Sequence, residues 1–240
     1  MKKAYLNWSS GKDAAMALFK VSGEGEFVVE KLLTTVNSET ERISMHGVRL
    51  ELLESQAQQI GLPLEIISLD GNVPLSTYNK MMLTQCKKLV AEGFCHSIFG
   101  DIFLEDLRRY REEQLEKAGI IAVFPLWKKD TRKMMQEFIS AGFKAIVVCV
   151  NSKLLDKSYC GREIDQEFLS TLPAGIDHCG ENGEFHTFVY DGPIFKEPVK
   201  FRVGETVEKF YTSNKDEDDC FKDKKETWDT AFGYCDLLPD

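Results

Sequence analysis

AYLNWSSGKDAAMALFK, residues 4–20, is the stretch on which the fold turns. Ala4-Tyr5-Leu6 reads as a short strand and Ala14 to Lys20 as a helical run, with the polar turn Ser9-Ser10-Gly11-Lys12-Asp13 between them. A strand that passes through a tight turn into a helix makes an anion site. The first N–H groups of the helix have no partner within it and point at whatever occupies the turn. Gly11 lets backbone come close, the two serines add hydroxyl donors, and Lys12 adds a mobile positive charge. Such a turn suits a phosphate.

Outward from this turn, apolar runs alternate with amphipathic ones as far as residue 170. Strands are expected at Lys3–Trp8, Lys31–Val36, Leu64–Leu69, Ser97–Gly100, Ala122–Phe124 and Lys144–Val150. Leu50, Leu53, Ala57 and Ile60 follow helical spacing up to Gly61, as do Leu104, Leu107 and Leu115 up to Gly119. Met134, Met135, Phe138 and Ile139 repeat the pattern before Gly142, and the two methionines read as core. Strand–helix alternation of this kind predicts an α/β fold, a parallel sheet with helices on both faces. Ligands then belong at the carboxyl ends of the strands, where Ser9–Asp13, Asn37, Asp70, Gly100–Asp101, Trp127 and Asn151 collect.

Beyond about residue 172 helical periodicity fades, and Gly, Pro, Phe and Val become common. The expected division is therefore 1–170 for the α/β domain and 171–240 for a smaller α+β lobe that binds substrate. Residues 212–230 are dense in charge and read as a surface insertion. The chain has 240 residues and a net charge of −9, with no basic tract, which argues against general nucleic-acid binding. No run approaches membrane-spanning length and no signal peptide follows Lys2-Lys3, so no membrane partner and a cytoplasmic location are expected. The seven cysteines form no Cys-x-x-Cys pair and read as free thiols. Cys179 lies near His178 and His186, but the spacing matches no common zinc pattern.

A second concentration of chemistry is Gly180-Glu181-Asn182-Gly183-Glu184-Phe185-His186-Thr187. Two carboxylates, an amide, an imidazole and a hydroxyl within eight residues can orient an amine, take a proton from it, or hold Mg2+.

The first turn fails the Walker A test, because Leu6 and Asp13 stand where that motif needs Gly and Ser or Thr. It resembles instead the SGGKDS loop of the PP-loop ATP pyrophosphatases, with Ser10 in place of a glycine and Ala14 in place of the last serine. Further motifs follow in order: Met45-His46-Gly47-Val48-Arg49, Gln56-Ala57, Gly61-Leu62-Pro63-Leu64, Gly100-Asp101-Ile102 with Glu105, Pro125-Leu126-Trp127, and Gly161-Arg162 with Asp165. With the 180–189 stretch and Tyr190-Asp191-Gly192-Pro193, the chain resembles the diphthine–ammonia ligase family over nearly its full length. That family is a branch of the N-type ATP pyrophosphatases, within the HUP (adenine nucleotide alpha hydrolase-like) superfamily.

The resemblance implies a HUP-type domain that binds ATP with Mg2+ and a second lobe that binds the target. The family reaction adenylates a carboxylate, releases pyrophosphate, and lets ammonia displace AMP to give an amide. Ser9, Ser10, Gly11, Lys12 and Asp13 would hold the phosphates, with Asp13 the metal residue. Asn37, Gly100 and Asp101 would complete the nucleotide site. Lys12, Arg49, Glu105, Glu184 and His186 would be catalytic, and His46, Arg108, Glu181, Asn182 and Thr187 would bind substrate. The implied partners are ATP, ammonia and a carboxylate-bearing acceptor, either a modified protein side chain or a small molecule, and a homodimer is compatible. Two other readings stay open. A pyrophosphatase-family enzyme acting on tRNA or on another small molecule would favour a basic patch and paired cysteines. A non-catalytic nucleotide-binding regulator would have little use for Glu181, Glu184 and His186.

Overall fold

The computed structural model describes residues 1–43, 46–71, 73–211 and 230–240. The charged insertion lies outside these but for Thr230, as do Ser44 and Met45. The chain opens with β1 (Lys2–Asn7), α1 (Lys12–Glu24), β2 (Phe27–Asn37) and the two-residue β3 (Arg42–Ile43). It continues through α2 (Leu50–Ile60), β4 (Leu64–Leu69), α3 (Leu75–Ala91), β5 (His96–Ile98), α4 (Glu105–Glu116) and β6 (Ile121–Val123).

These strands form one sheet in which β1 is flanked in parallel by β2 and β5, and β6 follows β5. Leu32 of β2 pairs with Leu6 on one edge and with Leu64 on the other, so β4 lies outside β2. β3 folds back antiparallel on the end of β2. Both faces are covered, as a parallel sheet requires. Along β1, Ala4 and Leu6 join the core that contains α1 and α2, while Tyr5 faces Leu89 of α3 and Leu115 of α4. The sequence therefore located the strands of this sheet, while their order, with β1 at the centre, comes from the structure.

α1 is buried almost all round over its first half, through Lys12, Ala14, Ala15, Met16, Ala17 and Leu18. Its alanines are small enough to let it lie between the first sheet and a second layer. That layer begins after α5 (Thr131–Ser140), whose start is capped by Asp130 accepting from the Lys133 N–H. It comprises β7 (Lys144–Asn151), α6 (Gln166–Thr171), β8 (Phe185–Asp191), β9 (Phe201–Tyr211) and β10 (Thr230–Pro239). The strand order is β8-β7-β10-β9, antiparallel throughout.

Here the structure corrects the reading of Lys144–Val150 as another strand of the parallel sheet. β7 is buried on both faces, and a continuous apolar run does not reveal which sheet it joins. Its partners, β8 and β10, come later in the chain. The change of sheet thus falls between β6 and β7, ahead of the residue-170 division expected from the change in texture. Phe138, Phe168, Phe185 and Phe188 are fully buried here, each stabilising the layer by about 1.5–3 kcal/mol. Among the described residues no helix is long and apolar enough to cross a membrane.

Candidate active site

The polar turn sits at the carboxyl end of β1, where Asn7 Nδ2 donates to Ser97 Oγ at 2.8 Å and to Ile98 O at 3.0 Å, tying β1 to β5. Ser10 follows with φ +71°, the left-handed region that favours glycine. Its carbonyl accepts from the Val189 N–H at 2.9 Å and from Gln56 Nε2 at 3.1 Å. Gly11 has an ordinary extended backbone, and crowding is what demands glycine there. A Cβ would stand 2.9 Å from His46 Cε1 and 3.2 Å from Thr187 O. The Lys12 N–H, at the start of α1, donates to Thr187 Oγ1 at 3.1 Å. Strand β8 of the second layer thus lies directly against the turn and satisfies its backbone.

Lys12 is only 3% exposed, and its Nζ donates to Asp13 Oδ2 at 2.9 Å and lies 5.2 Å from the centre of the Phe185 ring. Burial pulls its pKa down, but Asp13, Cys179 and Glu181 outweigh it and hold the ammonium above the ordinary lysine value. Burial, with Asp101 and Asp177 nearby, pushes the Asp13 carboxyl up against the pull of Lys12. The Asp13 Oδ1 atom is buried and has no hydrogen-bond partner. Asp101 pairs with Arg111, whose Nη2 donates to Oδ1 at 3.2 Å and whose Nε lies 3.0 Å from Oδ2; burial nonetheless raises this carboxyl.

The 177–184 loop is braced from within. Glu184, 2% exposed, accepts from the Asp177 N–H at 3.0 Å, the Asn182 N–H at 2.9 Å and Asn182 Nδ2 at 3.1 Å. Asp177 Oδ2 in turn accepts from the N–H groups of Cys179 and Glu181. Glu181 reaches across to the first sheet, where its Oε1 accepts from the Ile102 N–H at 2.8 Å. Burial, and then the charge of Asp13, push its carboxyl up to about 7.

His46 and His186 lie together beside the turn, their ring centres 4.6 Å apart and their planes tilted by 32°. Because a carbonyl only accepts, His46 Nδ1 carries the proton it shares with Thr187 O at 3.2 Å. Burial lowers the His46 pKa to about 4, and burial with His46 and Lys12 lowers that of His186 well below its usual value. Both rings are therefore neutral near pH 7, and His186 Nε2 is buried without a partner.

Ser9, Ser10, Gly11, Lys12, Asp13, His46, Glu181, His186 and Thr187 are thus gathered around one turn, and Glu184 and Asn182 brace the 177–184 loop that carries Glu181. Gly100 belongs with them. Its Cβ would fall 2.7 Å from Asp13 C and 2.9 Å from Ala14 N, so the first turn of α1 packs directly on its backbone. Other expected residues are engaged elsewhere. Arg49 grips Asp236 of β10 through Nε (3.1 Å) and Nη2 (2.7 Å), and Arg42 Nη1 joins at 2.8 Å. Glu105 is exposed, 3.9 Å from Lys128 Nζ. Arg108 donates to Glu112 and lies over the rings of Phe124 and Trp127. Asn37 Oδ1 accepts from the N–H groups of Glu39 and Thr40, closing the turn after β2. It also lines a cleft of about 860 Å³ shared with Arg42, Gly71, Phe232, Tyr234 and Asp236.

The sequence reading did not reach Trp8, Arg111 or Asp236, nor any role for Gln56. Gln56 left a trace: it is a polar residue on the buried face of α2, among Leu52, Leu53 and Ala57. Asp236 left none, since its partners are about 190 residues away in the chain.

A parallel α/β sheet whose first strand ends in a lysine-bearing helix-start turn, closed by an antiparallel layer, makes a site of the kind that receives an anion. Comparison with known proteins is more specific. Residues 1–121 match the diphthamide synthase N-terminal domain and residues 130–238 the diphthamide synthase C-terminal domain, so the chain belongs to the diphthamide synthase family. It is 26% identical over 220 residues to a diphthine–ammonia ligase of Danio rerio, covering 83% of this chain and 86% of that protein. It is 25% identical over 223 residues to one of Homo sapiens, covering 83% and 82%. One of Bos taurus is 32% identical over 110 residues, 43% of this chain, and the match spans only about two fifths (41%) of the bovine protein.

Proposed function

We propose that the chain is an ATP-dependent, AMP-forming carbon–nitrogen ligase that adenylates a carboxylate and passes the acyl group to ammonia. The observation that carries this is the closure of the Ser9–Asp13 turn by strand β8, whose Thr187 hydroxyl accepts from the N–H of the buried Lys12 and whose Val189 N–H holds the Ser10 carbonyl. Relatives named diphthine–ammonia ligase support both the reaction type and the use of ATP and ammonia.

In this reading a carboxylate oxygen of the acceptor attacks the α-phosphorus of ATP, and the bond to the bridging oxygen breaks to release pyrophosphate. The Lys12 ammonium and the positive end of the α1 dipole offset the negative charge that grows on the departing phosphates, the Lys12 N–H itself being held by Thr187. Asp13, with its unpartnered Oδ1, fits a Mg2+ ion carried in with the nucleotide. Bound there, Mg2+ would neutralise phosphate charge. Ammonia then attacks the acyl carbon, AMP leaves with the electron pair of the broken C–O bond, and the nitrogen loses a proton. Glu181 is the group set to receive that proton, since its carboxyl titrates near neutrality. Glu184 holds the loop that presents Glu181 and is a positioning residue. The acceptor is a modified protein side chain or a small carboxylic acid. A cytoplasmic location is supported by the free thiols among the described cysteines.

Incubation with ATP, Mg2+, ammonium and a panel of acids tests the proposal. The expected result is one amide formed per AMP, dependent on ammonium. ATP turnover that yields no amide with any acid would contradict it.

A further inference from the structure

The side-chain amide of Gln56 is fully buried and fully used. The Trp8 indole can only donate, and its Nε1 donates to Gln56 Oε1 at 2.8 Å, which fixes the orientation of the amide. Gln56 Nε2 is therefore turned toward two carbonyls, Ser10 O at 3.1 Å and Val189 O at 2.6 Å. The same Ser10 carbonyl accepts from the Val189 N–H at 2.9 Å. One side chain on α2 thus ties the end of β1, the phosphate turn and strand β8 of the second layer into a single network.

Ser10 needs such a tie. It holds φ +71° with a Cβ present, a conformation that costs a non-glycine residue about 1–2 kcal/mol. Its carbonyl direction is set by that conformation, and so is the path of the backbone into Gly11 and Lys12. Its own hydroxyl is buried with no partner and does not secure the turn. The two hydrogen bonds on its carbonyl do.

We propose that Gln56 is a positioning residue for phosphate binding: it holds Ser10 in the left-handed conformation, so that the turn stays shaped for a phosphate chain and locked to the second layer. This rests on the reading of Ser9–Asp13 as a phosphate site. Glycine at position 10 would reach the same conformation without the cost, and the requirement for Gln56 would then fall away. A residue that merely fills the core would be needed equally with either residue at position 10.

The test is pyrophosphate binding by calorimetry, with melting temperatures recorded in parallel. Gln56→Met keeps the volume and removes the hydrogen bonds, and is expected to weaken pyrophosphate at least about tenfold. In the Ser10→Gly background the same substitution is expected to change affinity less than about twofold. Equal affinity of the wild type and Gln56→Met would overturn the proposal, and so would an equal loss in both backgrounds. If Gln56→Met does not fold, Gln56→Leu, close in volume and without any polar side-chain atom, carries the same expectation. If neither folds, the Ser10→Gly/Gln56→Met double variant must fold and bind; its failure would assign Gln56 to the core. Absence of pyrophosphate binding by the wild type would instead remove the phosphate-site reading on which the proposal stands, and the proposal with it.

Discussion

Gly100 shows how closely single residues are constrained around the turn. A methyl group there would overlap the Asp13–Ala14 peptide, which is backbone and cannot swing aside. Gly100→Ala is expected to cost about 1–3 kcal/mol of stability and to displace the start of α1. Denaturant melts and ATP titrations check it, and wild-type affinity in the variant would contradict the packing described. Glu181 makes a second prediction at this scale. Its carboxyl is raised to about 7, so it is protonated below that pH and charged above it. If it receives the proton from ammonia, turnover should rise as pH increases through about 7, and Glu181→Gln should lose that limb of the pH–rate profile. The Ser9–Asp13 turn was legible in the sequence because a strand that passes through a tight polar turn into a helix announces an anion site, whereas Thr187 stood out only within the polar 180–187 stretch. The Arg49–Asp236 pair was not legible, since an arginine free for an anion and one already paired look alike until its partner is known.

At the scale of elements, β8 and β10 do the work that the sequence showed least clearly. β8 supplies Thr187 and Val189 to the Ser9–Asp13 turn, while β10 supplies Asp236 to the pair Arg42 and Arg49 at the entrance to α2. Burial tends to raise the Asp236 carboxyl, but hydrogen bonds from Arg49 and Arg42 prevail and lower it to about 2. A depressed carboxylate adds stability that is present above its unfolded value of about 4 and is lost as pH falls through its folded value. Asp236→Asn should therefore destabilise the fold by about 1–2 kcal/mol at pH 7. The difference from wild type should shrink as pH falls from about 4 toward 2. Urea melts across this range would show it, and a pH-independent difference would count against the ion pair. The parallel strands were legible because apolar runs alternate with amphipathic ones, three of which end at Gly61, Gly119 and Gly142. For β7 the buried run told only that a strand exists, because its antiparallel partners lie far along the chain.

At the scale of the molecule, the two sheets are joined by the turn itself. α1 lies between them, and the Ser9–Asp13 turn, the histidine pair and the Glu181–Ile102 contact all sit where one layer meets the other. That placement suits a reaction in which nucleotide and acceptor approach from different sides and water must be kept from an acyl-adenylate. The central claim is that the grip on the terminal phosphates leads to cleavage between the α- and β-phosphates. Phosphorus NMR of the products, with ATP, Mg2+, ammonium and an accepted acid, tests it most directly. AMP and pyrophosphate in equal amounts are predicted, with turnover lost in both Lys12→Ala and Glu184→Ala and ATP affinity lost mainly in the former. ADP and orthophosphate as the products would contradict the account.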